Sequence, residues 1–280
     1  MFNMFKNNPE KAEMSFFDHL EELRWHIVRS LLAIMVGAIV VFIKIKFIYT
    51  TIILGPTHHT FITYRALCSL GHALGLGDRL CLPDVPLKFQ SMQLSGQFMQ
   101  ALSSSVTFGV IVAAPYILHE FWRFVKPALK PSELKYTRGV VFWTTLLFFS
   151  GVSFGYFIIA PYTVNFFAAY KISDSIENII TIQSYMDTLS QLIIGCGFLF
   201  ELPILVYFLA KVGILTKNFL KQYRRHAFVI ILVVAAFIAP PDVASQVIVT
   251  IPLYLLFELS IMIAGKVERQ RARDEAEFWS

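Results

Sequence analysis

The chain has little charge, and its long apolar runs hold almost none of it. Asp, Glu, Lys and Arg make up 15% of its 280 residues against 56% hydrophobic, and the mean hydropathy is +0.61. Such a composition excludes an ordinary soluble domain and indicates an integral membrane protein. Cysteine is equally sparse. Cys68, Cys81 and Cys196 follow no metal-binding or redox spacing; Cys196 lies in an apolar stretch, where a thiol usually packs as a small residue. Cys68 and Cys81 share one polar loop, where they either pair, if the loop faces an oxidising compartment, or stay free. There is no catalytic triad, Gly-rich phosphate loop or His/Cys metal cluster, so no enzyme, cofactor or metal site is expected, and the adjacent His58 and His59 read as solvated loop residues. Residues 1–24 lack an apolar core followed by a small-residue cleavage pattern, so the first apolar run is expected to be a permanent span. The net charge of +5 reports orientation before partners and is not read as a nucleic-acid footprint.

Six apolar segments of helical composition run over residues 25–47, 97–118, 139–162, 186–210, 226–239 and 243–264. They predict an all-α integral membrane protein with six transmembrane helices. The expected organisation is a cytoplasmic amphipathic segment over 1–24, a membrane domain over 25–264 with a long outer loop at 48–96, and a cytoplasmic tail over 265–280. Lys and Arg in the connecting segments number 17 on the side of the termini and 4 on the other, so both termini are expected in the cytoplasm. Span two opens with Gln97, Gln100 and the cluster Ser103, Ser104, Ser105 and Thr107, too polar for bare lipid. Span five is short, its residues 226–239 covering about 21 Å before Pro240 and Pro241 stop it. Helices five and six are therefore expected to form a short hairpin that thins the bilayer or opens a recess. The alternative is a helix five extended into residues 222–225, and both readings stay open.

Glu201 is the lone charged side chain between Leu192 and Ala210. A charge at that depth costs about 2.5 kcal/mol or more, so an acid there is a functional-site candidate that needs a partner. No Lys or Arg lies deep enough in the apolar cores to neutralise it. Either it shares hydrogen bonds with groups such as Gln97, Gln191 or a serine, or another membrane chain supplies the partner. Pro203, with Gly195 and Gly197 nearby, favours close packing or a kink over a smooth lipid-facing helix.

Two further constellations border the membrane. In the stretch from Ser15 to Arg24, Phe16, Leu20 and Leu23 share a helical face that can rest on the bilayer, while Asp18, Glu21 and Glu22 project elsewhere, and Ser15 fits an N-cap. Either these acids merely solvate a surface helix, or their setting matters, since they are held against a face rich in Lys and Arg. The loop from Phe121 to Leu134 carries interfacial aromatics, two prolines and Glu133, whose acid also suits an ordinary helix start.

With His19–Arg24, the loop Phe121–Glu133, the run Phe200–Pro203, and Pro240–Val243 followed by Ser245 and Gln246, the chain resembles the TatC family, the polytopic subunit of the twin-arginine protein translocase. The resemblance covers nearly the whole chain. It implies a six-helix fold with both termini inside, in the cell inner membrane. It also implies a receptor and core subunit that recognises twin-arginine signal peptides of folded cargo. Glu22 and Glu133 would bind the arginine pair, since guanidinium groups need fixed carboxylates. Phe124 would pack beside the peptide, and Arg24 would orient the acids. Glu201 and Gln246 would contact small single-span TatA/TatB-type subunits. Other implied contacts are the lipid bilayer and copies of the chain itself. The first outer loop, with Cys68 and Cys81, departs from simpler members of the family. The competing reading is a proton-coupled transporter or channel with Glu201 as relay, for which the sequence offers little further intramembrane acid beyond Glu258.

Overall fold

The computed structural model describes residues 16–58, 60–75, 77, 81, 88–126, 139–173, 175, 178–238 and 243–279, with side chains described from residue 21 onward except those of 243, 244 and 274–279. The first helix, α1 (Phe16–Ile43), runs 28 residues without a break. The expected amphipathic segment is therefore not a separate element. No Pro lies in α1 and its first Gly is Gly37, so nothing interrupts the helix between the rim motif and the apolar run. Ser15, the expected cap, lies outside the described residues.

The chain continues through α2 (Ile45–Ile48), α3 (Ile62–Ala73), β1 (Phe89–Gln90), α4 (Gly96–Val125), α5 (Val140–Phe154), α6 (Ala160–Ala169), β2 (Ile180–Thr181), α7 (Ile182–Leu199), α8 (Leu202–Val212), α9 (Lys217–Gln222), α10 (Arg224–Ile238) and α11 (Val243–Trp279). Among the described residues, five stretches are long and apolar enough to cross a membrane: Glu21–Ile43, Gly96–Val125, Val140–Ala169, Ile182–Val212 and Ser245–Arg273. The remaining expected span, the fifth, corresponds to α10, whose 15 residues cover about 22 Å, less than the roughly 30 Å of hydrocarbon. It gains only Arg224 and Arg225 on its N-terminal side, because Tyr223 separates it from α9.

Helix six departs from expectation. Instead of a short partner in a hairpin, α11 is the longest helix at 37 residues. Past Ala264 its sequence is dominated by Glu, Arg, Lys and Ala, which are good helix formers, and no proline follows Pro252. The helix therefore continues through the polar tail.

Small residues bring the helices together. A Cβ added to Gly37 would meet the Gly109 carbonyl oxygen at 2.9 Å, and one added to Gly109 would meet the Ala38 nitrogen at 2.7 Å, so α1 and α4 touch backbone to backbone. Gly151 of α5 lies against the Cys196 carbonyl of α7 with no room for a side chain. Between α5 and α6 one turn widens to a π-helix at Gly155–Ile159, just before Pro161, whose ring nitrogen cannot donate. The main core gathers Met186, Leu189, Leu192, Ile193 and Cys196 of α7 with Ile159 and Leu253, and Cys196 is buried there as the sequence suggested.

On the face away from the N-terminus, tyrosines tie down the first long loop. Tyr64 donates to the Pro56 carbonyl at 2.8 Å, Tyr156 to Ile52 at 2.6 Å and Tyr185 to Ile53 at 2.5 Å. Burial pushes the Tyr64 phenol up to about 12, so it remains a donor at any physiological pH. Cys68 and Cys81 form a disulfide. The two-residue strands pair in parallel, Phe89 with Ile180 and Gln90 with Thr181, linking this loop to the start of α7. Gln100, Ser104 and Ser105 are buried, with Ser104 Oγ 3.0 Å from Tyr49 Oη. Part of the polar opening of span two therefore faces protein, while Gln97 and Ser103 stay exposed.

Candidate functional site

The rim site is built on the crossing of α1 and α4. The pairing of Gly37 with Gly109 and of His26 with Glu120 fixes an antiparallel register, in which each step back along α1 matches a step forward along α4. One turn beyond His26 on α1 is Glu22, and one turn beyond Glu120 on α4 is Phe124, so the two are carried to the same level. The His26 and Phe124 rings meet edge to face with centroids 6.2 Å apart. Glu22 and Phe124 are both half-buried. Arg24 is exposed and its guanidinium sits 5.5 Å over the Trp25 ring. Glu133 lies outside the described residues.

Below this level is a residue that sequence reasoning passed over. Glu120 is 1% exposed, and three side chains converge on it. His26 Nδ1 is 2.5 Å from Oε2, Arg123 is 3.3 Å from Oε1, and Arg29 stands 3.7 Å from Oε2. Charge-assisted contacts from both helices clamp the rim ends of α1 and α4. The signal was in the sequence. Glu120 falls one turn before Phe124, and His26 and Arg29 lie one turn apart on a single face of α1. Counting Glu120 with the following loop hid the match.

Within the membrane, the long fourth span breaks where the sequence set Glu201. α7 ends at Leu199 and α8 starts at Leu202, with Glu201 at the N-cap position and Pro203 in the first turn. The Glu201 main-chain N–H donates to the Phe198 carbonyl at 3.1 Å, a tightened turn that makes the kink. At the far end of α8, Gly213 at φ 89° supplies the left-handed cap. Glu201 Oε1 is buried and has no hydrogen-bond partner among the described residues. The expected polar neighbours do not reach it. Gln191 lies about 15 Å along the helix and donates to the Phe237 carbonyl, while Gln97 lines a recess beside Lys46 and Tyr49. Gln246 is half-buried and donates to the Leu232 carbonyl at 3.3 Å, holding α10 to α11. Glu258, the other intramembrane acid the sequence offered, is engaged by Arg224 at 2.6 Å and Tyr254 at 3.1 Å.

The disulfide brings His72 beside it, its Nδ1 3.9 Å from Cys68 Sγ. These three side chains have the proximity of a metal site, but the bond between the sulfurs consumes the thiolates that a metal would take.

Comparison with known proteins gives one answer. The family described as Sec-independent protein translocase protein (TatC) matches residues 18–252. The chain is 38% identical to the TatC protein of Blattabacterium sp. subsp. Periplaneta americana, over 94% of its own length and 99% of that protein's. It is 33% identical to that of Desulforapulum autotrophicum, over 96% and 90%, and 32% identical to TatCy of Bacillus subtilis, over 94% of each. A crystal structure titled twin arginine translocase receptor TatC aligns at a TM-score of 0.65 with 27% identity, covering 89% of this chain and 99% of that one. A second, in DDM, aligns at 0.69 with 28% identity, covering 88% and 99%.

Proposed function

Because the chain belongs to the TatC family of Sec-independent protein translocase components, membrane proteins of protein transport, we propose that it is the receptor for twin-arginine signal peptides and the core subunit of the translocase. In this reading Glu22 and Glu133 hold the two guanidinium groups, Phe124 packs beside the peptide and Arg24 tunes the acidic surface. The observation that carries the proposal is the helix register. It brings Glu22 level with Phe124 at one rim, braced from below by the Glu120 cluster. A rigid backing matters because a bidentate Arg–carboxylate pair depends on fixed geometry.

The same proposal holds that the chain crosses the inner membrane six times with both termini cytoplasmic. α10 is then the short fifth span, accommodated by local thinning of the bilayer. Two independent features support this orientation: the excess of Lys and Arg on the side of the termini, and a disulfide in the loop on the opposite side, as suits an oxidising compartment.

Glu201 is assigned to contact with small single-span partner subunits, with Gln246 on the neighbouring hairpin. Its buried oxygen without a donor is the supporting observation, since such a group costs about 1–3 kcal/mol until a donor arrives. A transporter with Glu201 as relay needs a further group to pass a proton onward, and Glu258 is already engaged by Arg224 and Tyr254.

The test is binding of a labelled twin-arginine signal peptide to the purified chain in nanodiscs. Glu22→Gln is expected to weaken binding about tenfold, the effect of one lost charge-assisted contact. Unchanged affinity for both Glu22→Gln and Glu133→Gln would overturn the receptor assignment.

A further inference from the structure

A groove of about 470 Å³ runs along the outer side of the α1–α4 crossing, between Ala33, Val36 and Gly37 on one wall and Val112 on the other, with Arg29 and Tyr116 at its rim end. It exists because the two helices meet through glycine, which leaves the flanking valines standing as walls over a floor without side chains. Val36 is 61% and Val112 59% exposed, so the trough opens toward lipid.

The head of the groove carries a charge surplus. Glu120 is one carboxylate facing Arg29, Arg123 and His26. Its close contacts go to His26 and Arg123. Arg29 stands at 3.7 Å, beyond hydrogen-bond distance, with 45% of its side chain exposed. Glu120 thus holds the guanidinium at the rim by charge while, among the described residues, its donors make no hydrogen bond. Among the described residues this is the one ion pair Arg29 makes.

We propose that this groove binds an anionic phospholipid, with the phosphate on Arg29 and one acyl chain lying over Gly37 between Val36 and Val112. A fixed cation heading an apolar trough selects an amphiphile whose own charge and tail are arranged the same way. The rim end is the side that carries the N-terminus, so under the orientation proposed above the lipid comes from the cytoplasmic leaflet, the one rich in anionic headgroups. A bound lipid here would brace the crossing that supports Glu22 and Phe124. The lipid site itself does not depend on the receptor assignment.

The test is native mass spectrometry of the full chain released from detergent, titrated with phosphatidylglycerol or with phosphatidylcholine of the same acyl chains. The wild-type chain is expected to retain one phosphatidylglycerol, favoured over phosphatidylcholine by about fivefold or more, the contribution of one arginine near the headgroup. Arg29→Gln is expected to remove that preference. Val36→Trp, which fills the trough and leaves Arg29 intact, is expected to reduce retention of both lipids. Should Arg29→Gln fail to fold, Val36→Trp carries the test alone. Equal retention of the two lipids by the wild type, or retention unaltered in the folded variants, would overturn the proposal. So would displacement by glycerol phosphate, which would mark a free-phosphate site, or capture of a polypeptide by a photoreactive residue at position 112 in membranes.

Discussion

Two carboxylates, buried Glu120 and half-buried Glu201, have opposite surroundings, and opposite outcomes follow from removing them. Glu120 is saturated, with partners on two helices. Glu120→Ala leaves His26 and two arginines facing one another and is expected to cost about 2 kcal/mol, the usual contribution of hydrogen bonds to a charged group. A lowered melting temperature of the detergent-purified chain would register it. Glu201 is unsatisfied. Glu201→Ala is therefore expected to leave the melting temperature of the isolated chain unchanged or higher, while co-purification of single-span partner subunits is lost. A destabilised chain that still captures those partners would contradict the assignment. Glu201 was legible in the sequence because a charge inside an apolar run stands out by contrast. Glu120 was harder to read: its spacing before Phe124 is visible, but it falls where the run gives way to Trp122, Arg123 and Lys126, and the pairing with His26 is what marks it as buried.

At the scale of elements, the α1–α4 crossing positions the rim. Gly109→Leu has no space beside Ala38 and is expected to cost about 3 kcal/mol through overpacking. Because that crossing also sets the level of Glu22, a loss of peptide binding should accompany the drop in melting temperature. On the opposite face, the disulfide closes a separation of 13 residues, and replacing both cysteines by serine is expected to cost about 3 kcal/mol by chain-entropy arguments. The matching check is that a reductant lowers the melting temperature of the wild-type chain and leaves the double-serine variant unmoved. Apolar runs announced the long helices, and Pro203 announced the break before α8, because hydrophobic length and a missing N–H are local properties. The length of α11 and the continuity of α1 were underestimated. Polar residues at the end of an apolar run mark the end of lipid, which is not the end of a helix when the following residues are themselves good helix formers.

For the whole molecule, four short motifs carry the family, which the match over residues 18–252 bears out, while the charge count speaks only to orientation. Those motifs carry chemistry that composition alone does not. What they left out was the brace beneath the rim, a product of helices packing at a particular register. The central claim is that fixed acids at one rim read a pair of arginines. A thermodynamic cycle tests it most directly: affinities of twin-arginine and twin-lysine signal peptides for the wild-type chain and for the Glu22→Gln, Glu133→Gln double variant in nanodiscs. Lysine cannot form the bidentate contact, so the wild type is expected to prefer the arginine peptide by about tenfold or more, and the double variant to bind the two alike. An arginine preference that survives in the double variant would contradict the account.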